Sequence, residues 1–270
     1  MGIADLLAGV AGRGDFGVWL GRLDGHPVFT HAADRAHYSA STMKLPVAIA
    51  MTRKVDSGEL ALDQPVTVHN DFASAAGGRF GVNPAEDEAP NTWTKMGEQV
   101  PLTWLTTEMI TVSSNLATNL VLEQTGVDAA NAVLAEYGSG QSVIRRGIDD
   151  TAAQRARISN LMSPADLAAV LVAVGNDKSP SGEYVRDLLA GNTWNGEIPA
   201  GVPAGTRVEH KNGWDTGIRH DGGIVRPDDA EAFVLTVCTT SDLPDQDASR
   251  LIAEIAAAAW DHRHDLEAVR

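Results

Sequence analysis

The 270-residue chain has a single cysteine, Cys238, so no internal disulfide can form and a disulfide-stapled scaffold is excluded. Cys238 ends the apolar run Phe233-Val-Leu-Thr-Val-Cys238 and reads as a small buried strand residue. No apolar stretch reaches the roughly 18 residues that a membrane-spanning helix needs, so none is expected. Basic clusters are also missing. The chain carries 21 Lys and Arg against 36 Asp and Glu, a formal charge of −15. Binding to a phosphate backbone needs several cations on one face, so nucleic acid is not an expected partner. The opening Met-Gly-Ile-Ala-Asp-Leu-Leu has no basic segment, and Asp5 falls where a secretion signal stays uncharged. Leu6 occupies the position where myristoylation requires Ser or Thr. If Met1 is the native start, a cytoplasmic location is expected.

What the chain does have is an ordinary soluble composition, with 43% apolar and 21% charged residues, and enough length to bury a core unaided. Residues 16–20 and 27–30 are strand-like and flank the turn-prone Leu23-Asp-Gly-His26, which predicts a hairpin. A helix is expected to start near Ser41 and run toward Gly58, too uniformly apolar to lie on the surface. Residues 70–100, rich in Gly, Pro, Asp and Asn, read as irregular. Helical periodicity returns at 102–109, 116–123, 128–137 and 164–174, the last with Ser163 as N-cap and Pro164 at its first position. After a loop over 191–205 come strands at 206–211, 223–225 and 232–239, then an amphipathic helix over 247–261. The expected fold is α/β (α+β), an antiparallel sheet built from both termini and flanked by helices, with an all-helical domain inserted. The chain would form one unit, with residues 1–40 and 205–270 making the sheet part and 41–204 the helical part.

Three short motifs carry chemistry. In Ser41-Thr-Met-Lys44 a serine and a lysine three apart share one helix face, close enough for the amine to take the hydroxyl proton. Burial among Met43, Leu45 and Val47 would lower the lysine pKa toward that of a general base. The alternative is a Ser N-cap followed by a Lys that reaches solvent. In Ser113-Ser-Asn115 a serine can relay a proton and an asparagine can hold an amide, unless the segment is only a capping turn. In Lys211-Asn-Gly213 a cation can hold a carboxylate and a glycine allows close backbone approach. Asn-Gly is equally the commonest hairpin turn.

Together, and in this order, the three resemble the S-x-x-K, S-D-N and K-T-G signature of class A β-lactamases and penicillin-binding proteins. The likeness extends to Tyr38-Ser-Ala-Ser-Thr-Met-Lys44, the segment 109–119 and the strand 233–240, and covers roughly residues 15–260. The resemblance implies that Ser41 is the acylated nucleophile, Lys44 its proton acceptor and Ser113 the shuttle to the leaving nitrogen. It further implies that Asn115 positions a substrate amide, that Asn119 braces the site, and that Lys211, with Asn212 and Gly213, supports a substrate carboxylate. The backbone N–H groups of Ser41 and Trp214 would form the oxyanion hole. Arg219, near that strand, is a further carboxylate candidate, with an ion pair to Asp215 or Asp221 as the alternative.

The chain departs from the family at Ser114, where aspartate is usual, and at Asn212, where a hydroxyl residue is usual. The larger departure is the glutamate that activates the deacylating water. Anchoring on Gly138 and Arg146 places it at Ile148, whereas counting from Asn115 places it at Asp149; neither gives Glu with Asn four residues later. Asp149 or Asp150 is a possible substitute base, unless they are loop acids or an N-cap before Ala152. The expected function is a serine hydrolase or acyltransferase of penicillin-binding type with slow deacylation, acting on an amide, ester or β-lactam. A β-lactamase using another base, and a binding or sensor module, are the alternatives. The expected partner is a small-molecule or peptide substrate bearing a carboxylate, with no cofactor and no metal. His262-Arg-His264 lacks a third ligand and reads as a solvated helix end. Trp93 is either a cleft wall or a packing residue.

Overall fold

A computed structural model describes residues 2–87 and 89–266. Five strands form one antiparallel sheet: β1 (Gly14–Arg22), β2 (Pro27–His31), β3 (Arg207–Asp215), β4 (Ile218–Arg226) and β5 (Phe233–Ser241). Their order is β2-β1-β5-β4-β3, so the N-terminal hairpin and the C-terminal meander join where β1 pairs along its whole length with β5. The sheet built from both termini is the architecture expected above.

Strand alternation divides the core in two. Phe16, Val18, Leu20, Val225, Phe233, Leu235 and Val237 pack beneath two helices, α1 (Ile3–Gly9) and α8 (Asp245–Asp261). Trp19, Ile224 and Val234 face the opposite layer, formed by the middle of the chain. That layer holds α2 (Lys44–Asp56), α3 (Leu102–Thr111), α4 (Asn115–Thr125), α5 (Val127–Tyr137), α6 (Pro164–Asn176) and α7 (Pro180–Ala190). Helix α2 is its axis; Leu45, Val47, Ala48, Ala50 and Met51 are all within 1% of complete burial. The inserted stretch is mostly helix and carries three short ladders as well, pairing Pro65–Thr67 with Gln99–Pro101, Phe72–Ala73 with Arg79–Phe80, and His37–Tyr38 with Leu161–Met162.

Several boundaries differ from expectation. The helix expected from Ser41 begins at Lys44, preceded by a 3-10 turn over Ala40–Met43. Ala40 has a φ of 43°, and the Thr42 amide and hydroxyl both donate to the Ser39 carbonyl, at 3.1 and 2.6 Å. That tightens the chain into an i→i+3 turn. The Asn212-Gly213 pair is not a hairpin turn: β3 continues to Asp215, and the turn falls at Thr216-Gly217, where Gly217 takes a φ of 70°. Residues 70–100 are more ordered than their composition suggests, with one of the small ladders and a short helix, Pro90–Trp93.

Leu235, fully buried on the central strand β5, tests this layering. Leu235→Ala is expected to lower stability by about 3 kcal/mol, read as a shift of the urea midpoint with little change in slope.

Candidate active site

The nucleophile candidate sits where the inserted layer meets the free edge of the sheet. Ser41 lies on the 3-10 turn and is 8% exposed; the β3 backbone crosses directly beside it. A Cβ on Gly213 would come within 2.7 Å of the Ser41 amide nitrogen, so only glycine permits this approach. Counting back from the two-residue turn, Trp214 and Arg219 form a wide, non-hydrogen-bonded pair, because the closing pair Asp215/Ile218 is the bonded kind. The Trp214 N–H therefore projects off the sheet edge on the Ser41 side. The Ser41 amide lies against the neighbouring residue of the same strand, Gly213.

Behind Ser41 the two lysines are completely buried. Lys44 Nζ donates to the Ser113 carbonyl at 2.7 Å, to Ser113 Oγ at 3.1 Å and to Asn115 Oδ1 at 2.8 Å. Lys211 Nζ donates to the same Ser113 Oγ at 3.2 Å and to the Asn212 carbonyl at 2.9 Å. One hydroxyl thus joins two amines from opposite sides of the site. Ser113 reaches both by adopting a φ of 63° in the turn between α3 and α4, a strained conformation for a residue with a side chain.

Burial dominates the electrostatics. Desolvation, then the neighbouring Lys211, pushes the Lys44 pKa well below the ordinary lysine range, while Asp87 and Asp149 pull it back up. Lys211 is lowered to about 7 by desolvation, opposed by Asp221 and Glu197. Burial thus works against the charge of both amines.

Asn115 holds Lys44 through its carbonyl and donates from Nδ2 to Asp149 Oδ2 at 2.9 Å, so both ends of the amide are engaged. Asp149, at a φ of 62°, lines the cleft, and desolvation raises its pKa despite the pull of Lys44. Asp150 does not line the cleft. Its carboxylate accepts from Ser74 Oγ, the Ala75 amide and the Ala153 amide, which makes it the N-cap of a short helix, Thr151–Arg155. Asp150 is completely buried. Ile148 is buried, its backbone clamped by Asn119, which donates to the Ile148 carbonyl at 3.0 Å and accepts its amide at 2.9 Å.

Arg219 differs from expectation. It contacts neither Asp215 nor Asp221 as an ion pair; its guanidinium lies 3.5 Å from Glu197 and 3.7 Å from Asp245, over the Trp214 ring. It is absent from the cleft lining, whereas Trp214 is part of it. Asn212 turns its amide away as well, donating to Glu197 Oε2 and the Trp194 carbonyl.

Sequence reasoning did not find Asp87. This buried carboxylate accepts from the Asn115 amide at 3.1 Å, the Leu116 amide at 3.0 Å, Ser114 Oγ at 3.3 Å and Trp93 Nε1 at 3.0 Å. It caps α4 from a segment 28 residues away, and no local pattern marks it. Trp93 is its anchor and lies outside the cleft lining. His262 and His264, by contrast, pair with Asp265 and Asp229 at the surface. The cleft encloses about 580 Å³, and Tyr38, Glu86, Arg146 and Asp215 complete its walls beside the residues above.

The chain matches the β-lactamase enzyme family over residues 2–263. Among solved structures it is similar to a β-lactamase of Sphaerobacter thermophilus, with a TM-score of 0.82 and 26% identity over 99% of this chain and 98% of that one. It is similar to a class A β-lactamase representing the last common ancestor of Gram-negative bacteria, with a TM-score of 0.81 and 25% identity over 97% and 98%. It also resembles PBP-A, with a TM-score of 0.79 and 24% identity over 96% and 94%. No curated protein matches it.

The glycine contact gives a direct test. Gly213→Ala is expected to keep the melting profile within a few degrees while cutting fluorophosphonate labelling of Ser41 by about 10²-fold, the worth of one oxyanion donor. Unchanged labelling would show that β3 does not approach Ser41 as described.

Proposed function

The chain belongs to the β-lactamase enzyme family, and we propose that it is a serine hydrolase or acyltransferase that forms an acyl-enzyme on Ser41 with an amide, ester or β-lactam. The observation that carries this reading is the shared contact of Ser113 Oγ with Lys44 and Lys211 beside the glycine-backed Ser41 turn. The Ser41 hydroxyl attacks the substrate carbonyl and its proton passes to the neutral Lys44 amine. The developing oxyanion rests on the Ser41 and Trp214 amides. As the C–N bond breaks, the proton moves from Lys44 through Ser113 to the leaving nitrogen. Lys211, as an ammonium, holds the substrate carboxylate.

Release of the acyl group is proposed to be slow, in the manner of a penicillin-binding protein. Ile148 supplies no base, and the Asp149 carboxylate, one methylene shorter than glutamate, is tied to Asn115. A second reading, turnover through Asp149, is favoured by the place of that carboxylate in the cleft wall. Intact-protein mass spectrometry after a penicillin pulse distinguishes the two. In the first the adduct persists after one burst, and Asp149→Glu shortens its lifetime more than it changes acylation. In the second the wild type turns over repeatedly, and Asp149→Ala keeps the burst while losing release.

Ser41→Ala is expected to abolish the adduct, and Lys44→Ala to slow acylation by about 10²–10⁴-fold. An adduct of undiminished yield in Ser41→Ala would remove the assignment. Lys211 predicts a pH effect whose sign follows from its lowered pKa of about 7. The ammonium is present below that pH and is lost as pH rises through it. KM for a free-acid substrate should therefore climb above pH 7, while KM for the corresponding ester stays flat; parallel profiles would count against a carboxylate role.

A further inference from the structure

Trp214 lines two cavities at once. One is the cleft holding Ser41, of about 580 Å³; the other is a chamber of about 360 Å³ on the far side of the indole, lined also by Trp194, Asn195, Asn212 and Arg219. Asp245 is the only other residue common to both linings. The indole is held from both directions. Trp194 packs against it with ring centroids 5.0 Å apart and is itself anchored by a bond from its Nε1 to the Val112 carbonyl at 3.2 Å. The Arg219 guanidinium lies 5.9 Å from its centroid on the opposite strand of the hairpin.

Arg219 is under-used where it stands. Its contacts to Glu197 and Asp245 are long, 3.5 and 3.7 Å, and its Nε is buried without a hydrogen-bond partner. A guanidinium with one unpaired donor and two long contacts can still take a carboxylate. The Trp214 indole, common to both linings, lies beside that guanidinium, which reaches only the second.

Resting on the acyl-enzyme reading of the same site, we propose that Trp214 is a specificity-determining residue. Its side chain partitions the cleft from the Arg219 chamber, confines substrates to the cleft beside Ser41, and denies their carboxylate a second cation. Its backbone N–H serves the oxyanion while its ring serves selection. Shortening the side chain joins the two spaces and brings Arg219 into reach.

The test compares acylation of Ser41 by penicillin G and by its methyl ester, followed by intact mass, in the full-length protein. Trp214→Ala is expected to raise the preference for the free acid about tenfold over wild type, in the range that one added charge-assisted contact supports. Trp214→Phe, which keeps a ring in the wall, should retain the wild-type preference. Adding Arg219→Gln to Trp214→Ala should remove the gain. If Trp214→Ala does not fold by circular dichroism, Trp214→Leu replaces it, with an expected gain of about threefold. An unchanged preference in the shortened variant, or a gain that survives Arg219→Gln, overturns the partition alone. A complete absence of Ser41 adducts in wild type and every variant overturns the acyl-enzyme reading, and this inference with it.

Discussion

Two fully buried lysine side chains share one serine hydroxyl, and much of the surrounding structure exists to make that tolerable. An ammonium out of water is costly unless it is bonded and compensated. Lys44 is bonded to the Ser113 and Asn115 oxygens, with Asp87 and Asp149 nearby; Lys211 has Asp221 and Glu197 behind it. The carboxylates come from four separated segments. The compensation is incomplete, so at least one amine is held close to giving up its proton. Burial thus weakens the charge of residues that are strong cations in water.

Behind Lys211 the arrangement continues as a chain of buried polar contacts. His210 Nδ1 meets Asp221 Oδ1 at 3.0 Å, Asp221 Oδ2 accepts the Ile198 amide at 3.0 Å, and Glu197 accepts from Asn212 and Ser249. These contacts bind β3 and β4 to the loop after α7. The loop carries Trp194, whose ring meets Trp214. The charge balance of Lys211 and the shape of the cleft wall therefore rest on the same few residues.

Much of this was legible in the sequence because its signals are local. Alternation marks β5, the serine and proline at 163–164 mark the start of α6, and the three motifs each occupy a few consecutive positions. What was not legible comes from contacts between distant segments. Nothing near Ser41 announces that a 3-10 turn replaces the first helical turn, since β3, some 170 residues later, presses on it. Asp87 and Asp150 are both acids in loops, yet one caps α4 beside the lysines and the other is consumed by Ser74 and Ala75. Composition cannot separate them. Helix α7 is not among the sequence expectations, although Ser179-Pro180 offers the same start signal as Ser163-Pro164 and Val185, Leu188 and Leu189 fall on one buried face. Arg219 lies opposite Trp214 on the β3–β4 hairpin, but the ring beside it also meets Trp194, from a loop that no local pattern marks.

The segment between Asn70 and Trp93 touches both halves of the cleft without belonging to either large core layer in full. Asn70 braces Val82 through two bonds, Asp87 caps α4, and Ser74 with Ala75 grips Asp150 in the loop that bears Asp149. Its hold combines these polar bonds with apolar anchors at Phe72, Phe80, Val82 and Trp93, and its long loops make the polar part the less costly to open. If it opens, Ser113, Asn115 and Asp149 lose their supports together while the β1–β5 seam stays closed. Opening of this stretch, which carries none of the three motifs, would unseat the candidate site without parting the sheet.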